Sequence, residues 1–388
     1  MTVRLYVYLP MPLTGRGVVS YTCAMLTQGM ADRHMAVTII APRADHSPRL
    51  VPSVDVIEIL PRWARYVPYR WVQDLARQKM ESAFLSSMAR SGSQTGAAYI
   101  WPDASPETIH ELKRNNVMIF REMINCHTGT AKVILDQAYE RFGVAPRHGI
   151  TTESVQAERA ALKAADYIFG PNALVEASLL ENDVPSSKIL QASYGWDPAR
   201  FSGSDRLLPP AEGLTAVFVG TICVRKGAHL LLDYWAQSGI TGRLVLAGEM
   251  EPVIKEKSSD LLARDDVLSL GYVKDIGALY RSADIFVFPS LEEGGPLVTY
   301  EACGCGLPVV TTPMGAGRIV RDNFEGFVID PYDRDGWVAA IRTLAENIEL
   351  RRTMAKASAE RAQSFVWSEV AARRRSQILS AIETTIGC

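Results

Sequence analysis

The stretch Phe288-Pro289-Ser290-Leu291-Glu292-Glu293-Gly294-Gly295-Pro296-Leu297-Val298-Thr299-Tyr300-Glu301-Ala302 sets the end of an apolar strand, a glycine turn and the start of a helix in that order. A ligand at the carboxyl end of such a strand meets the free amides of Gly295, Leu297 and Val298 and the positive end of the helix beyond them. That place suits an oxygen-rich, anionic ligand. Glu293 falls in the turn and Glu301 about two helical turns on, so two carboxylates approach one ligand from different heights. Two acceptors on one side of a ligand fit sugar hydroxyls. The same acids also read as an ordinary helix start complementing the dipole.

Working outward, strands alternate with helices on both sides of this stretch. The second half offers strands at 215–220, 243–247, 267–270, 285–289, 309–311 and 326–329, with a helix from about Gly227. The first half opens as a βαβ unit: a strand at 3–9, a loop holding Gly15 and Gly17, a helix to about Met30 and a strand at 36–41. Further strands fall at 54–60, 98–101, 117–124 and 167–170, the last after an alanine-rich helical segment from about Glu153. This alternation predicts an α/β protein whose parallel sheets are covered on both faces. At 388 residues the chain exceeds one ordinary core. Pro, Gly and Ser crowd the region 197–213, which reads as a linker. The expectation is a Rossmann-like domain over 1–197, a linker over 198–213 and a second Rossmann-like domain over 214–365. A helical tail, 366–388, packs back on the first domain.

Pro289-Ser290, Glu293-Gly294-Gly295-Pro296 and Glu301-Ala302 closely resemble the donor-site signature of the retaining family-four glycosyltransferases, Glu, seven residues, Glu. The resemblance implies a GT-B fold, two Rossmann-like domains facing each other across a cleft. It places Glu293 at the transferred sugar and Glu301 at the nucleotide's ribose, with Gly294, Gly295, Pro296, Leu297 and Val298 around the sugar and phosphate oxygens. The family usually has an aromatic residue where this chain has Gly295.

Upstream, Val217-Phe218-Val219-Gly220-Thr221-Ile222-Cys223-Val224-Arg225-Lys226-Gly227 is similar to the family's phosphate-binding strand and loop. Negative charge grows on the β-phosphate as the glycosidic bond breaks, so a fixed cation at Lys226 strengthens its contact as the reaction proceeds. Thr221 stands where the family often has Arg, and Arg225 is the candidate to supply that charge. By the same resemblance the backbone of Tyr272 and Val273 faces the nucleobase, although Tyr272 reads equally well as a core aromatic. Gly306-Leu307-Pro308 and Asn323-Phe324-Glu325-Gly326 extend the likeness over about 214–367. In the first half, Gly15-Arg16-Gly17 parallels the family's glycine loop, and His127 matches a histidine beside the reacting sugar. Tyr194-Gly195-Trp196-Asp197 follows the pattern of the hinge.

The implied reaction moves a sugar from a nucleotide-diphosphate sugar to a hydroxyl of a glycan or lipid-linked acceptor, with retention, in cell-surface polysaccharide or glycolipid synthesis. A nucleotide-sugar epimerase or sugar-phosphate synthase would use the same frame, as would a non-catalytic nucleotide-sugar-binding subunit of a polysaccharide assembly complex. A net charge of -2 leaves no global footprint for nucleic acid. Asp333-Arg334-Asp335 reads as a helix cap, so no metal or other cofactor is expected. Six cysteines without paired spacing read as reduced thiols of a cytoplasmic protein. The first strand is too short for a signal segment, and no apolar run reaches spanning length. Between 61 and 79, Arg62, Trp63, Arg65, Tyr66, Tyr69, Arg70, Trp71, Arg77 and Lys79 gather with Asp74 the only acid. Basic residues among aromatics suit an anionic bilayer, here the inner membrane face; a packed loop or an acceptor-cleft rim is the other reading.

Overall fold

The computed structural model describes residues 2–386 apart from 16, 45–50, 52, 90–95 and 103. Its first sheet has seven strands: β1 (Val3–Tyr8), β2 (Met35–Ala41), β3 (Asp55–Glu58), β4 (Gly96–Ile100), β5 (Met118–Glu122), β6 (Tyr167–Gly170) and β7 (Ile189–Gln191). They lie in the order β3-β2-β1-β4-β5-β6-β7. The second sheet has six: β8 (Leu214–Val219), β9 (Gly242–Ala247), β10 (Val267–Gly271), β11 (Ile285–Phe288), β12 (Val309–Thr311) and β13 (Gly326–Val328). Their order is β10-β9-β8-β11-β12-β13. Neighbouring strands run parallel in both sheets, for example β1 with β4 and β8 with β11. Every residue of β8 and of β11 is buried, as a strand covered by helices on both faces requires.

Each sheet reverses its strand order once, between β1 and β4 and between β8 and β11. Ligands of open α/β sheets bind outside the carboxyl ends of the strands at such a switch point. In the second sheet the two loops that flank it are 220–227, after β8, and 289–296, after β11. These are the loops singled out from the sequence.

Strand β5 stops at Glu122, short of the expected 124. The Met123 amide still bonds to Phe169 O at 3.2 Å, but Ile124 to Cys126 then turn away toward the second domain. Strand β3 is likewise shorter than 54–60.

The chain crosses between the sheets twice, side by side. The Trp196 amide bonds to Phe365 O at 3.0 Å, and the Trp367 amide returns a bond to Trp196 O at 3.2 Å. The Trp196 indole donates to Ala362 O at 2.9 Å. Beyond the first crossing, residues 201–208 lie along the second domain. Arg281 donates to Phe201 O at 3.0 Å and to Asp205 O at 2.8 Å, and Ser282 Oγ receives the Leu207 amide at 2.8 Å.

Beyond the second crossing, the helix Trp367–Ile386 lies on the helix Val18–Met30 of the first domain. A Cβ at Gly29 would come within 2.5 Å of Ala371 Cβ, so the two helices approach more closely than a side chain there allows. Arg375 pairs with Asp32 at 3.3 Å. Arg374, fully buried, pairs with Glu122 and donates to Tyr99 Oη at 2.6 Å.

Candidate active site

Gly227 takes a left-handed conformation (φ 67°) at the start of the helix Ala228–Ser238. A Cβ there would sit 2.0 Å from Pro289 O, so only glycine lets the loop after β8 close onto the loop after β11. The Leu291 amide bonds to Arg225 O at 2.9 Å and ties the two loops together. Lys226 is thereby brought into direct ion-pair contact with Glu293. Ser290 Oγ donates to Glu293 Oε1 at 2.9 Å and orients the carboxylate. Burial and the neighbouring Arg225 press the Lys226 ammonium toward losing its proton, and its contact with Glu293 opposes that.

Arg225 is half-buried. It donates to Glu292 O at 3.1 Å, and lies 3.4 Å from the Glu292 carboxylate and 3.9 Å from that of Glu293. The helix Leu297–Gly304 begins at a Pro296 cap with no side-chain cap; the Thr299 amide bonds to Pro296 O at 2.9 Å, and the amides of Leu297 and Val298 are left for a ligand. Because the helix starts only at Leu297, Glu301 lies in its second turn, and Glu293 precedes it in the loop. The two carboxylates meet different cations. Glu301 is 3.9 Å from Arg200, whose guanidinium also lies over the Tyr21 ring at 4.6 Å. Burial raises the Glu301 carboxyl to about 7, with Arg200 pulling the other way.

Gly294 and Gly295 are the points of closest approach to the first domain. A Cβ at Gly294 would lie 2.0 Å from Ile124 O, and one at Gly295 would lie 2.2 Å from the Tyr194 ring. Tyr194, from the hinge segment, thus fills the space beside position 295, where the family usually has an aromatic. Glu292, 1% exposed at its side chain, accepts from the Cys126 amide at 3.0 Å and from Asn125 Nδ2 at 3.3 Å. It anchors the second domain to the loop after β5.

His127 sits on that loop, fully buried, and caps the helix Thr128–Arg141. Its Nδ1 accepts from the Gly129 amide at 3.1 Å, which puts the proton on Nε2. Nε2 lies 3.9 Å from Glu158 Oε2 and has no hydrogen-bond partner among the described residues. Burial lowers the imidazole to about 4, so it is neutral at physiological pH.

Thr221, exposed, follows β8 at the switch point. Tyr272 is 83% exposed at the end of β10, beside Val273, and so is not a core aromatic. Gly15 and Gly17 lie after β1, with Gly17 (φ 87°) opening the helix Val18–Met30; Arg16 between them lies outside the described residues. The structure brings Lys226, Arg225, Ser290 and Glu293 into one cluster. The side-chain contacts of His127 run to Gly129 and Glu158 of its own domain.

Glu292 and Arg200 were not picked out from the sequence. Glu292 is masked by its neighbour Glu293, and Arg200 lies in the expected linker. Asp333 Oδ1 accepts from the Gly336 amide at 3.0 Å, capping the helix Arg334–Glu346. Among the described residues, no group of three or more His, Cys, Asp or Glu side chains is placed to hold a metal ion. Cys23, Cys126, Cys223 and Cys303 are buried free thiols, and Cys305 is partly exposed. Cys388 lies outside the described residues.

Two parallel sheets joined by paired crossings, with the clustered loops at a switch point, are the GT-B glycosyltransferase fold. Residues 204–361 match the model described as glycosyl transferases group 1. Over 183 residues the chain is 31% identical to a D-inositol 3-phosphate glycosyltransferase of Pseudarthrobacter chlorophenolicus, covering 44% of each chain. The chain spans about half or less of the length of the curated relatives it matches. Its fold is similar to that of a sucrose-phosphate synthase from Thermosynechococcus elongatus (TM-score 0.75, 20% identity), covering 99% of this chain and 100% of that one. It is also similar to Anabaena Alr3699/HepE in complex with UDP-glucose (TM-score 0.66, 14% identity), covering 98% and 100%.

Proposed function

We propose that this protein transfers a sugar from a nucleotide-diphosphate sugar to a hydroxyl of a glycan or lipid-linked acceptor, with retention of configuration. The observation that carries this reading is the contact of Lys226 with Glu293 at the switch point, beside uncapped helix amides. The amides of Gly295, Leu297 and Val298 receive sugar and phosphate oxygens. Glu301 accepts from the ribose hydroxyls, and Tyr272 and Val273 border the base. Lys226 and Arg225 exchange part of their contact with carboxylates for the leaving diphosphate. The bond from the anomeric carbon to the β-phosphate oxygen breaks, a bond to the acceptor oxygen forms on the same face, and the acceptor's proton passes to the departing phosphate. Neutral His127 holds the loop 124–126 in place. Tight contact between the domains excludes water that would otherwise hydrolyse the donor.

The test is a panel of UDP-, GDP- and ADP-sugars, scored by thermal shift and by released nucleotide diphosphate, with wild type against Glu293→Gln. One donor should stabilise the protein, and its slow hydrolysis should vanish in the variant. If a donor raises the melting temperature but no nucleotide diphosphate is released, the non-catalytic reading gains. Transfer to a free sugar phosphate would point to the synthase, and release of UDP with an epimerised free sugar to the epimerase.

The acceptor reading places the protein at a membrane surface, in cell-surface polysaccharide or glycolipid synthesis. Trp63 (57%), Tyr66 (90%) and Trp71 (70%) are exposed on neighbouring turns, with Arg70, Arg77 and Lys79 exposed among them. Tyr69 is partly buried, its hydroxyl donating to Pro10 O at 3.4 Å; the side chains of Arg62 and Arg65 lie outside the described residues. Exposed indole and phenol rings edged by cations suit an anionic interface. No helix among the described residues is long and apolar enough to cross a membrane. The protein is expected to co-sediment with phosphatidylglycerol vesicles at low salt, and to lose that binding in Trp63→Ser/Trp71→Ser. Equal binding by the variant would refute the membrane role.

A further inference from the structure

At the paired crossings the structure holds a partly open cavity of about 270 Å³. Its walls come from three places: 191–193 at the end of β7, Arg318 and Arg361 of the second domain, and Arg373 and Arg374 of the returning helix. Four arginines line it, and no acidic side chain is among its described lining residues.

The partners of these guanidinium groups decide how much positive charge remains. Arg374 is paired with Glu122, and Arg318 with Glu176. Arg361 is held by neutral carbonyls, Ile319 O at 2.7 Å and Arg318 O at 3.0 Å. Its nearest carboxylate, Glu325, is 4.0 Å away and already paired with Arg321. Arg373 donates to Ser364 O at 2.7 Å. Arg361 and Arg373 also lie over the same Phe365 ring, at 5.5 and 5.9 Å. Carbonyls and an aromatic face fix these two cations without neutralising them. A guanidinium has five NH donors; these contacts use two of them on Arg361 and one on Arg373. Two of the four cations are thus weakly compensated, Arg361 by a carboxylate it shares with Arg321 and Arg373 by none, and their concave wall concentrates positive potential inside it.

We propose that this cavity is a binding site for a small phosphate anion, separate from the donor site and bridging the two domains. Guanidinium forks match the oxygens of phosphate in geometry as well as charge, which a lysine cluster does not. None of the loops 220–227 and 289–298 lines the cavity, so a nucleotide sugar and a phosphate bind at once. The walls belong to both domains and to both crossings, so the anion favours the mutual arrangement of the domains seen here. A ligand that prefers one arrangement shifts the population toward it.

The test is calorimetric titration of inorganic phosphate, and separately pyrophosphate, into the full chain, alone and with saturating UDP. Saturable binding that persists with UDP present is expected, weakened about tenfold or more in Arg361→Gln/Arg373→Gln, as loss of charge-assisted hydrogen bonds implies. Melting curves without anion check that the variant folds. Arg373→Gln alone, at an exposed position, keeps the test open should the double variant fail to fold, and is expected to weaken binding in the same direction. Absence of saturable binding in the millimolar range, equal affinity in the folded variants, or displacement of the anion by UDP would each overturn the proposal. Binding that survives when no nucleotide binds at all would support this site while counting against the proposed donor site, so the two failures are separable.

Discussion

Glu301 is buried beside the Arg200 guanidinium, and its carboxyl is raised to about 7. A carboxylate that accepts from two ribose hydroxyls binds best when ionised, so bound nucleotide should pull this value down. Donor affinity is therefore expected to be full above pH 7 and to fall as pH drops through it, at most tenfold per pH unit. Glu301→Gln should bind UDP more weakly at pH 8 and show no such dependence between pH 6 and 8. A pH profile of UDP affinity, measured for both proteins, decides this; parallel slopes would mean another group titrates.

Gly295 offers a second test at the same scale. Its missing side chain is matched by Tyr194, whose ring a Cβ would meet at 2.2 Å. Gly295→Phe is expected to destabilise the protein by about 1–3 kcal/mol through overpacking, and adding Tyr194→Ala should return part of that loss. Thermal melts of the single and double variants measure it. Glu293, Lys226 and Glu301 could be singled out because each falls in a motif that resembles the family's, and the structure brings Lys226 and Glu293 into contact. Arg200 and Glu292 were not, because each depends on contacts made only after the chain has folded back on itself.

The element that most depends on one side chain is the returning helix Trp367–Ile386. Arg374 carries its charge into the interior, to Glu122 at the end of β5, with its guanidinium 4.0 Å from the Phe169 ring centre. Removing one partner of a buried pair leaves the other uncompensated, at about 3–5 kcal/mol. Arg374→Met should cost that much, and Arg374→Met/Glu122→Gln should recover most of it; denaturant unfolding of the three proteins checks both. The alternating strands and helices were readable from apolar runs bounded by turns, and the second sheet, with its long buried runs, more sharply than the first. Strand β7, Ile189–Gln191, left no such pattern because it is only partly covered and ends on a polar residue, whereas Val309–Thr311, no longer, is buried throughout. The end of β5 was overrun because Met123 and Ile124 are as apolar as the strand they leave. That the tail reaches back to β5 rests on Arg374, which reads along the sequence as one more charge in the run Arg373-Arg374-Arg375.

At the scale of the whole molecule, two domains joined by two crossings need contacts at the cleft to hold one arrangement. Glu292 is the clearest of these, since it belongs to the second domain and accepts from Cys126 and Asn125 of the first. Others support it: Asn172 donates to Met314 O at 2.8 Å, and Arg141 lies over the Tyr332 ring at 4.2 Å. Glu292→Ala leaves the buried Cys126 amide without an acceptor and frees Arg225 from its nearest carboxylate, a cost of about 1–3 kcal/mol. Cys126 sits in the first domain's core, but the carboxylate it meets comes from the other domain, so the cost should fall mainly on the interdomain arrangement. The variant is expected to show a larger radius of gyration in solution scattering and a donor KM raised severalfold. A scattering curve and KM equal to wild type would mean that the crossings alone hold the domains. If the radius grows while kcat at saturating donor stays the same, the contact governs assembly of the cleft; a fall in kcat as well would show that Glu292 also acts through Arg225, 3.4 Å from its carboxylate.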